Sequence, residues 1–235
     1  MDAGERVLVI GATQGTGLHI VRLLLREGYR VRVLARNEAK ARSRFGDTVE
    51  VVVGDVTRPD TLPVAFPGVD HVILTAAVTQ RPASEALVKS TVYDGTLHVL
   101  SAAGKAGLAG RFMYMSALGT TKGSLLALGL NLVKGNTLRW RRRVEEEIRR
   151  SGLDYTIVHA GILSDAPAGR RAIEIGQDEL PMRPWYRIGR EDVAEVFVRA
   201  LRHPAARNTT FDAVWSRGET PPDWDALFAR LAPGT

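Results

Sequence analysis

The sequence predicts a doubly wound α/β fold, in which a parallel sheet of about seven strands carries helices on both faces. Short apolar runs of strand length alternate along the chain with stretches whose apolar residues recur at helical spacing. The runs are apolar at nearly every position, which is typical of parallel strands covered on both sides. We therefore expect one domain over residues 1–235, with the strand order 3-2-1-4-5-6-7.

A glycine-rich turn lies between the first predicted strand and the first predicted helix. The apolar run Val7–Ile10 is followed by GATQGTG at positions 11–17 and then by a stretch of helical spacing. A strand, glycine turn, helix and second strand within about thirty residues form the Rossmann dinucleotide-binding unit. Gly11 would allow the turn, Gly15 would leave room for the phosphates, and Gly17 would let the helix approach the strand. A branched side chain at either of the last two is expected to exclude the cofactor without unfolding the sheet. The residues expected to contact the cofactor here are Gly11, Thr13, Gln14, Gly15, Thr16 and Gly17.

Arg36 stands where the second strand of this unit ends, and this position selects the dinucleotide. A unit that binds NAD usually carries Asp or Glu here to grip the ribose 2′-hydroxyl. A guanidinium instead suits a 2′-phosphate by charge and by bidentate geometry, and Lys40 follows closely. The sequence therefore predicts NADPH, with NADH less favoured, unless Arg36 is simply a solvated charge at a strand end.

Polar and small residues follow four further predicted strands. Ligands of this fold bind beyond the carboxyl ends of the strands, where the winding direction reverses. We therefore expect one crevice to be lined by the glycine turn, Arg36 and the strand-end residues Asp55, Val56, Ala76, Ala77, Ser116 and His159. A long helix is predicted over residues 84–109 and a loop over 117–135. Residues 160–187, which are rich in Pro, Gly and Arg, are predicted to form an irregular lid over the substrate.

The composition excludes several kinds of site. The chain has no cysteine, and its five histidines show no zinc-binding spacing, so neither disulfides nor a metal are expected. The net charge is +6, but the densest basic cluster, residues 139–150, interleaves Arg with Glu. With Trp140, Val144 and Ile148 as its buried stripe, this cluster is predicted to be a solvated helix face and not a nucleic-acid surface. No signal peptide or membrane-spanning run is recognised, so we expect a cytoplasmic protein.

The order and spacing of these motifs resemble the short-chain dehydrogenase/reductase superfamily, and in particular its atypical NAD(P)H-binding members. The similar segments are the glycine turn, Gly54-Asp55-Val56, Tyr93-Asp94-Gly95-Thr96, the strand that ends at Ser116, residues 151–158, and residues 189–194. The resemblance implies a Rossmann fold, a nicotinamide cofactor and a small-molecule substrate. It also implies that the Ser116 hydroxyl polarises a carbonyl, the alternative being a strand-end serine that satisfies backbone groups.

The Tyr-x-x-x-Lys pair of that superfamily is missing, since Thr137 and Arg141 stand at the two positions. In the superfamily the tyrosine donates a proton and the lysine lowers its pKa. The candidates for a replacement donor are His159, which titrates near neutrality when unperturbed, and Tyr186 in the predicted lid. Water or the cofactor ribose are alternatives, and both side chains have structural roles open to them as well.

Two functions are compatible with the sequence. The first is an NADPH-dependent reductase that transfers hydride to a ketone or quinone of an aromatic substrate, polyketide-like or flavin-like, whose product anion needs little help from a protein acid. The second is a non-catalytic NADP-binding regulator or scaffold, which the missing pair permits. In either case we expect a monomer or homodimer without nucleic-acid or membrane partners.

Overall fold

The computed structural model describes residues 4–218 and 220–234. The strands in these residues are β1 (Arg6–Ile10), β2 (Arg30–Ala35), β3 (Glu50–Val53), β4 (His71–Leu74), β5 (Phe112–Ala117), β6 (Tyr155–Ala160), β7 (Ile162–Ser164), β8 (Ala172–Gly176), β9 (Arg187–Gly189) and β10 (Thr209–Ser216). Eight of them form the central sheet in the order β3-β2-β1-β4-β5-β6-β10-β8, while β7 and β9 pair separately.

The parallel part of this sheet confirms the predicted fold class and strand order. From β3 to β10 each neighbouring pair is parallel, and β10 is the seventh strand of the prediction. The sheet has one strand more than expected, because β8 pairs antiparallel with β10 at the edge, with Gly176 opposite Asp212. The winding direction reverses between β1 and β4, which places the ligand crevice beyond the ends of these two strands.

Helices cover both faces of the sheet. They are α1 (Gly15–Arg26), α2 (Glu38–Phe45), α3 (Glu85–Val88), α4 (Gly95–Lys105), α5 (Leu125–Val133), α6 (Thr137–Arg150), α7 (Arg190–Arg202) and α8 (Trp224–Phe228). The predicted helix over 84–109 is built from α3, a π-helical turn at Lys89–Asp94 and α4. Within the described residues, no helix is both long and apolar enough to cross a membrane.

Two apolar cores result from this arrangement. On one face, α1 and α7 bury Ile20, Leu24 and Phe197 against the sheet. On the other face, α4 and α6 bury Val99 and Ile148. Because the central strands are covered on both sides, alternate residues of each strand enter different cores, and this explains why the strands read as continuous apolar runs.

The predicted loop over 117–135 is wrong for its second half, where α5 lies. The Ser124 side chain caps this helix by accepting a hydrogen bond from the Ala127 backbone N–H at 3.1 Å. Several of its leucines nevertheless face solvent, and Leu125 is 89% exposed. Helical periodicity marks a helix only when one face is buried and the other is polar, so a short helix of apolar residues on all sides gave no usable pattern.

The segment 160–187 is also more regular than predicted. It contributes β7, the edge strand β8 and the first residue of β9. Ile173 and Ile175 of β8 are buried in the core, whereas Glu174 between them is exposed. This short alternating pattern is typical of an edge strand with one solvated side, and the flanking prolines and glycines concealed it.

The Arg/Glu helix α6 is confirmed as a helix with Val144 and Ile148 fully buried, but its predicted solvated face needs correction. Arg142 and Glu146 form an exposed pair at 3.7 Å. Glu145, in contrast, has no exposed surface, and Arg141 is buried as well. Two charged side chains of this alternating sequence, Arg141 and Glu145, therefore point into the protein and not into solvent.

Gly17 is required by packing, which corrects the expectation that a branched residue there would leave the sheet folded. A Cβ on Gly17 would lie 2.3 Å from the Gly11 carbonyl oxygen and 2.7 Å from Thr75 Oγ1. The first of these atoms is backbone and has little freedom to move. At Gly15, by contrast, the nearest heavy atom to such a Cβ is Arg190 Nε at 3.7 Å, although φ is +57°.

Candidate functional site

A cavity of about 600 Å³ opens at the carboxyl ends of β1, β2 and β4. It is the crevice that the winding of the sheet predicts. Apart from His159, every residue that the sequence assigned to the cofactor lines it: Gly11, Thr13, Gln14, Gly15, Thr16, Gly17, Arg36, Asp55, Val56, Ala76 and Ala77. A volume of this size is within the usual range for cofactor sites.

The N-terminus of α1 lines the part of the cavity where the sequence predicts the phosphates. Gln14 occupies the N-cap position but its side chain makes no capping hydrogen bond, and the first turn contains no acid. The hydroxyl oxygen Oγ1 of Thr16 is buried without a hydrogen-bond partner. Unsatisfied donors at a helix N-terminus are a ready site for a phosphate group.

Gly11 keeps this end of the cavity narrow. Its φ is +91°, and a Cβ there would lie 2.6 Å from the backbone nitrogen of Ala76. The ends of β1 and β4 can therefore approach each other only with glycine at this position. Together with the free donors of α1, this side-chain-free turn fits the diphosphate of a dinucleotide.

Charged and polar groups surround the end of the cavity at β2 and β3, where the sequence predicts that the adenosine part of the cofactor binds. Arg36 is exposed and lines the cavity. Lys40, on the first turn of α2, donates from Nζ to Gln14 Oε1 at 3.2 Å, so a second cation lies close to the glycine turn. Asp55 Oδ1 accepts hydrogen bonds from the backbone N–H and the hydroxyl of Thr57, both at 2.9 Å, which fixes its carboxylate at the rim.

Apolar side chains contribute to the other end of the cavity. Its walls include Met115 from β5, Leu163 from β7, Leu87 from α3, and Thr91. The backbone of residues 78–80 closes this end, and Lys134 holds it by donating from Nζ to the carbonyls of Val78 at 2.7 Å and Gln80 at 3.0 Å. Burial lowers the pKa of Lys134, with the nearby positive charge of Arg81 acting in the same direction.

Ser116 does not line the cavity, although its neighbour Met115 does. Successive residues of a strand point to opposite faces, and the Ser116 hydroxyl faces α6, where it donates to Glu145 Oε1. Its exposed fraction is 3%. The sequence left open a strand-end serine that satisfies backbone groups, but the partner of the Ser116 hydroxyl is the side-chain carboxylate of Glu145.

His159 is also enclosed, beside Ser116. The two residues face each other in the β5–β6 register, and Asp212 is opposite His159 in the β6–β10 register. His159 Nε2 lies 3.1 Å from Glu145 Oε1, and Nδ1 lies 3.1 Å from Asp212 Oδ1. With 3% of its surface exposed, His159 lies between two carboxylates and not at the cavity wall.

The electrostatics of this buried group follow from its geometry. Burial by itself would lower the pKa of His159, but hydrogen bonds to Asp212 and Glu145 outweigh it and raise the pKa to about 9. Burial would likewise raise the pKa of Glu145, yet the hydrogen bond and charge of His159 lower it. A protonated histidine between two carboxylates is therefore the stable state at neutral pH.

Tyr186 lies outside the cavity wall as well. It is half-buried against the small apolar cluster that includes Leu118 and Ala127, and its ring centroid is 6.1 Å from that of Trp185.

Arg141, at the family's lysine position, donates from Nη1 to the Met115 carbonyl at 2.5 Å. It therefore anchors the end of β5 from the side of α6.

Sequence reasoning missed several residues of the cavity wall. The most prominent are Asp165 and Arg190, whose side chains form an ion pair at 2.5 Å. Arg190 was placed only as part of a family-like segment, and Asp165 only inside the predicted lid. Met115 was missed because Ser116 was expected to line the crevice, and strand alternation then points Met115 to the opposite face.

Comparisons with known proteins agree with this geometry. The profile of a family described as NAD(P)H-binding matches residues 11–204. The sanguinarine reductase of Eschscholzia californica is 29% identical over 96% of this chain and 95% of its own length. A chloroplastic protein of Arabidopsis thaliana is 33% identical over 97% of this chain and 82% of its own. A Bacillus halodurans structure of the NAD-dependent epimerase/dehydratase type superimposes with a TM-score of 0.81 over 97% of this chain and all of its own, at 23% identity, which supports the fold.

Proposed function

The chain belongs to the NAD(P)H-binding family of atypical short-chain dehydrogenases/reductases, which are NAD(P)H-dependent oxidoreductases, and we propose that it is an NADPH-dependent reductase of quinones and conjugated aromatic ketones. The observation that carries the proposal is the composition of the cavity end opposite the adenosine site. Among the described residues that line the cavity, there is no Tyr, His or Lys. A substrate reduced here must therefore yield a product that is stable before it is protonated.

Quinones meet this requirement because hydride addition gives a delocalised phenolate, and conjugated aromatic ketones meet it when the hydride adds at the β-carbon and leaves a delocalised enolate. Simple aliphatic ketones do not, because an alkoxide needs an acid of matched pKa at the moment it forms. Flat aromatic rings also suit the apolar walls formed by Met115, Leu163 and Leu87. The relative named sanguinarine reductase supports reduction as the reaction class.

Each part of the cavity has a role in this proposal. The α1 N-terminus and the glycine turn would hold the diphosphate, and Arg36 the 2′-phosphate. Bound NADPH supplies the hydride. Lys134 keeps the backbone of residues 78–80 in place beside the reacting rings. The protein then contributes position, and the proton comes from solvent.

Steady-state oxidation of NADPH tests the proposal. The wild-type protein is assayed with a series of quinones, flavins and α,β-unsaturated aromatic ketones, and with aliphatic ketones of similar size as controls. We expect turnover with the conjugated substrates and none with the aliphatic ones. Because none of the described residues that line the cavity is a Tyr, His or Lys, the rate with a quinone should change little between about pH 6 and pH 8. Turnover of aliphatic ketones with a bell-shaped pH profile would contradict the proposal.

The second candidate is a cofactor-binding regulator or scaffold. The observation that favours it is the enclosure of Ser116 and His159, since neither of these two expected catalytic side chains is among the described residues that line the cavity. Binding and turnover separate the two functions. Tight binding of NADPH, measured by its fluorescence, together with no oxidation by any substrate of the series, would favour the regulator.

A further inference from the structure

Arg190 lies directly above the glycine turn. It is the first residue of α7, it lines the cavity, and its side chain is 27% exposed. Its Nε and Cδ atoms lie 3.7 and 3.9 Å from the position that a Cβ on Gly15 would occupy. Since Gly15 begins α1, the guanidinium faces the same small volume as the free N–H groups of that helix.

The partner of this guanidinium is a carboxylate that is otherwise exposed to solvent. Arg190 Nη1 lies 2.5 Å from Asp165 Oδ1, and the Asp165 side chain is 87% exposed. An exposed ion pair of this kind changes an equilibrium by roughly fivefold at most. A ligand with two negative charges at the helix N-terminus can therefore displace the carboxylate.

The backbone on both sides of this pair is fixed. The N–H of Ala168 donates to Glu191 Oε2 at 3.0 Å, and the N–H of Gly169 donates to Asp192 Oδ1 at 2.9 Å. Asp192 also accepts from Trp215 Nε1 at 2.7 Å. The loop after Asp165 is thus tied to the start of α7, so Arg190 can exchange partners by side-chain rotation alone.

We propose that Arg190 binds the diphosphate of the dinucleotide and that Asp165 holds it above the glycine turn when the cofactor is absent. The planar guanidinium can donate two hydrogen bonds to one phosphate, as lysine cannot. The site for the 2′-phosphate is separate, because Arg36 follows β2. This inference rests on cofactor binding by the family and not on the proposed substrates, so it survives if the reductase proposal fails.

Three ligands distinguish Arg190 from Arg36. NADPH contains both the diphosphate and the 2′-phosphate, NADH contains only the diphosphate, and adenosine 2′-monophosphate lacks the diphosphate. Arg190→Gln is expected to weaken NADPH and NADH alike, by roughly 10- to 100-fold, and to leave adenosine 2′-monophosphate within about twofold. Arg36→Gln should weaken NADPH and adenosine 2′-monophosphate but not NADH. Affinities are measured by calorimetry on the full chain.

Arg187→Gln serves as the matched control, because Arg187 is an exposed arginine of β9 outside the cavity wall. It should bind all three ligands as the wild type does. Thermal unfolding of each free variant shows whether the fold is intact, and Arg190→Lys should restore part of the affinity for both dinucleotides. If Arg190→Gln weakens adenosine 2′-monophosphate as strongly as NADH, or leaves NADH unchanged, the assignment of Arg190 to the diphosphate is overturned.

A double-mutant cycle tests the role of Asp165. Asp165→Asn frees Arg190, so it should tighten NADH and NADPH by about two- to fivefold in the wild-type background. In the Arg190→Gln background the same change should have no effect, because there is no cation left to release. A gain of equal size in both backgrounds would mean that Asp165 acts only by repelling the phosphates, and this would overturn its holding role.

Discussion

The ends of the strands differ between the two halves of the sheet. After β2 and β3, Arg36 and Asp55 open onto the cavity. Ser116 and His159 are the second-to-last residues of β5 and β6, and both face inward, to carboxylates of α6 and β10. The carboxyl end of a strand thus supplies a cavity residue in one half and a member of a buried network in the other.

The difference has a physical origin in what covers each strand end. Three glycines in the turn after β1 leave a cavity beyond the end of this strand, and Thr13, Gln14 and Thr16 of the same turn line it. The ends of β5 and β6 are covered by α6, and β10 adds a further strand beside them. A polar side chain below such a cover must find a partner inside the protein. Substitutions in the first half should therefore change backbone packing or cofactor affinity, whereas substitutions in the second half should change the stability of the buried network.

Gly17→Val is expected to have the largest effect. Its Cβ would meet the Gly11 carbonyl oxygen at 2.3 Å, so α1 could not stay in place. We expect a loss of more than about 3 kcal/mol of unfolding free energy, or failure to fold. Urea denaturation measures it. Gly15→Ala is the control, since its nearest neighbour would be 3.7 Å away and only the left-handed backbone, at a cost of about 1–2 kcal/mol, opposes it. Equal stability of the two variants would contradict the conclusion that close packing requires glycine at position 17.

Glu145→Gln should come next, with a loss of about 3 kcal/mol, because it removes one of the two carboxylates that balance a buried charged histidine. Glu146→Gln on the same helix is the matched control, since Glu146 forms an exposed pair with Arg142 and should contribute less than about 1 kcal/mol. Both are measured by urea denaturation at pH 7. If the two variants are equally stable, the buried network does not hold the second half of the sheet together.

The first half of the molecule was the more predictable from sequence. A glycine turn between a strand and a helix produces a recognisable local sequence pattern, because each glycine is required by the backbone geometry of the few residues around it. The strand order and the lining of the cavity by Arg36, Asp55 and Ala76 followed from that pattern. These residues needed no partner distant in sequence.

The second half was less predictable because its decisive contacts are long-range. Glu145 looked like one more surface acid in a charged helix, and only the register that aligns Ser116, His159 and Asp212 shows that it is buried. The pair between Asp165 and Arg190 likewise joins residues 25 positions apart. A periodic pattern reports the exposure of a helix face on average, and single buried charges escape it.

Arg36→Asp tests the half of the sheet whose strand ends line the cavity. We expect it to weaken NADPH by about 1.5–3 kcal/mol and to leave NADH unchanged or improved, because an acid at this place can bind the ribose hydroxyl. Calorimetry with both cofactors measures the preference. The stability of the free protein should stay the same, since Arg36 is exposed. Equal affinity of the wild type for NADPH and NADH would exclude the assignment of Arg36 to the 2′-phosphate.

In the half of the sheet that contains β5 and β6, the unfolding free energy should depend on pH through His159, with a smaller and more gradual effect. The pKa of His159 is raised from 6.5 to about 9 in the folded protein. The contribution of His159 to the unfolding free energy is therefore complete below pH 6.5, the ordinary pKa that applies to the unfolded chain. This contribution is lost as the pH rises through about 9. The unfolding free energy should fall between pH 7 and pH 9 by at most about 1.4 kcal/mol per pH unit. His159→Gln should lack this component of the slope, and identical slopes for the two proteins would show that His159 does not titrate as its contacts indicate.

Thr137→Ala should have the smallest effect of all. Thr137 begins α6 at the position where related reductases carry a tyrosine, but it is not among the residues that line the cavity. Its hydroxyl is too weak an acid to replace that tyrosine. We expect kcat with a quinone to stay within about twofold and the unfolding free energy to change by less than about 0.5 kcal/mol. A loss of turnover beyond about tenfold, or about 1.4 kcal/mol of barrier, would mean that the start of α6 reaches the substrate after all. The proton donor would then have to be sought on this helix and not in solvent.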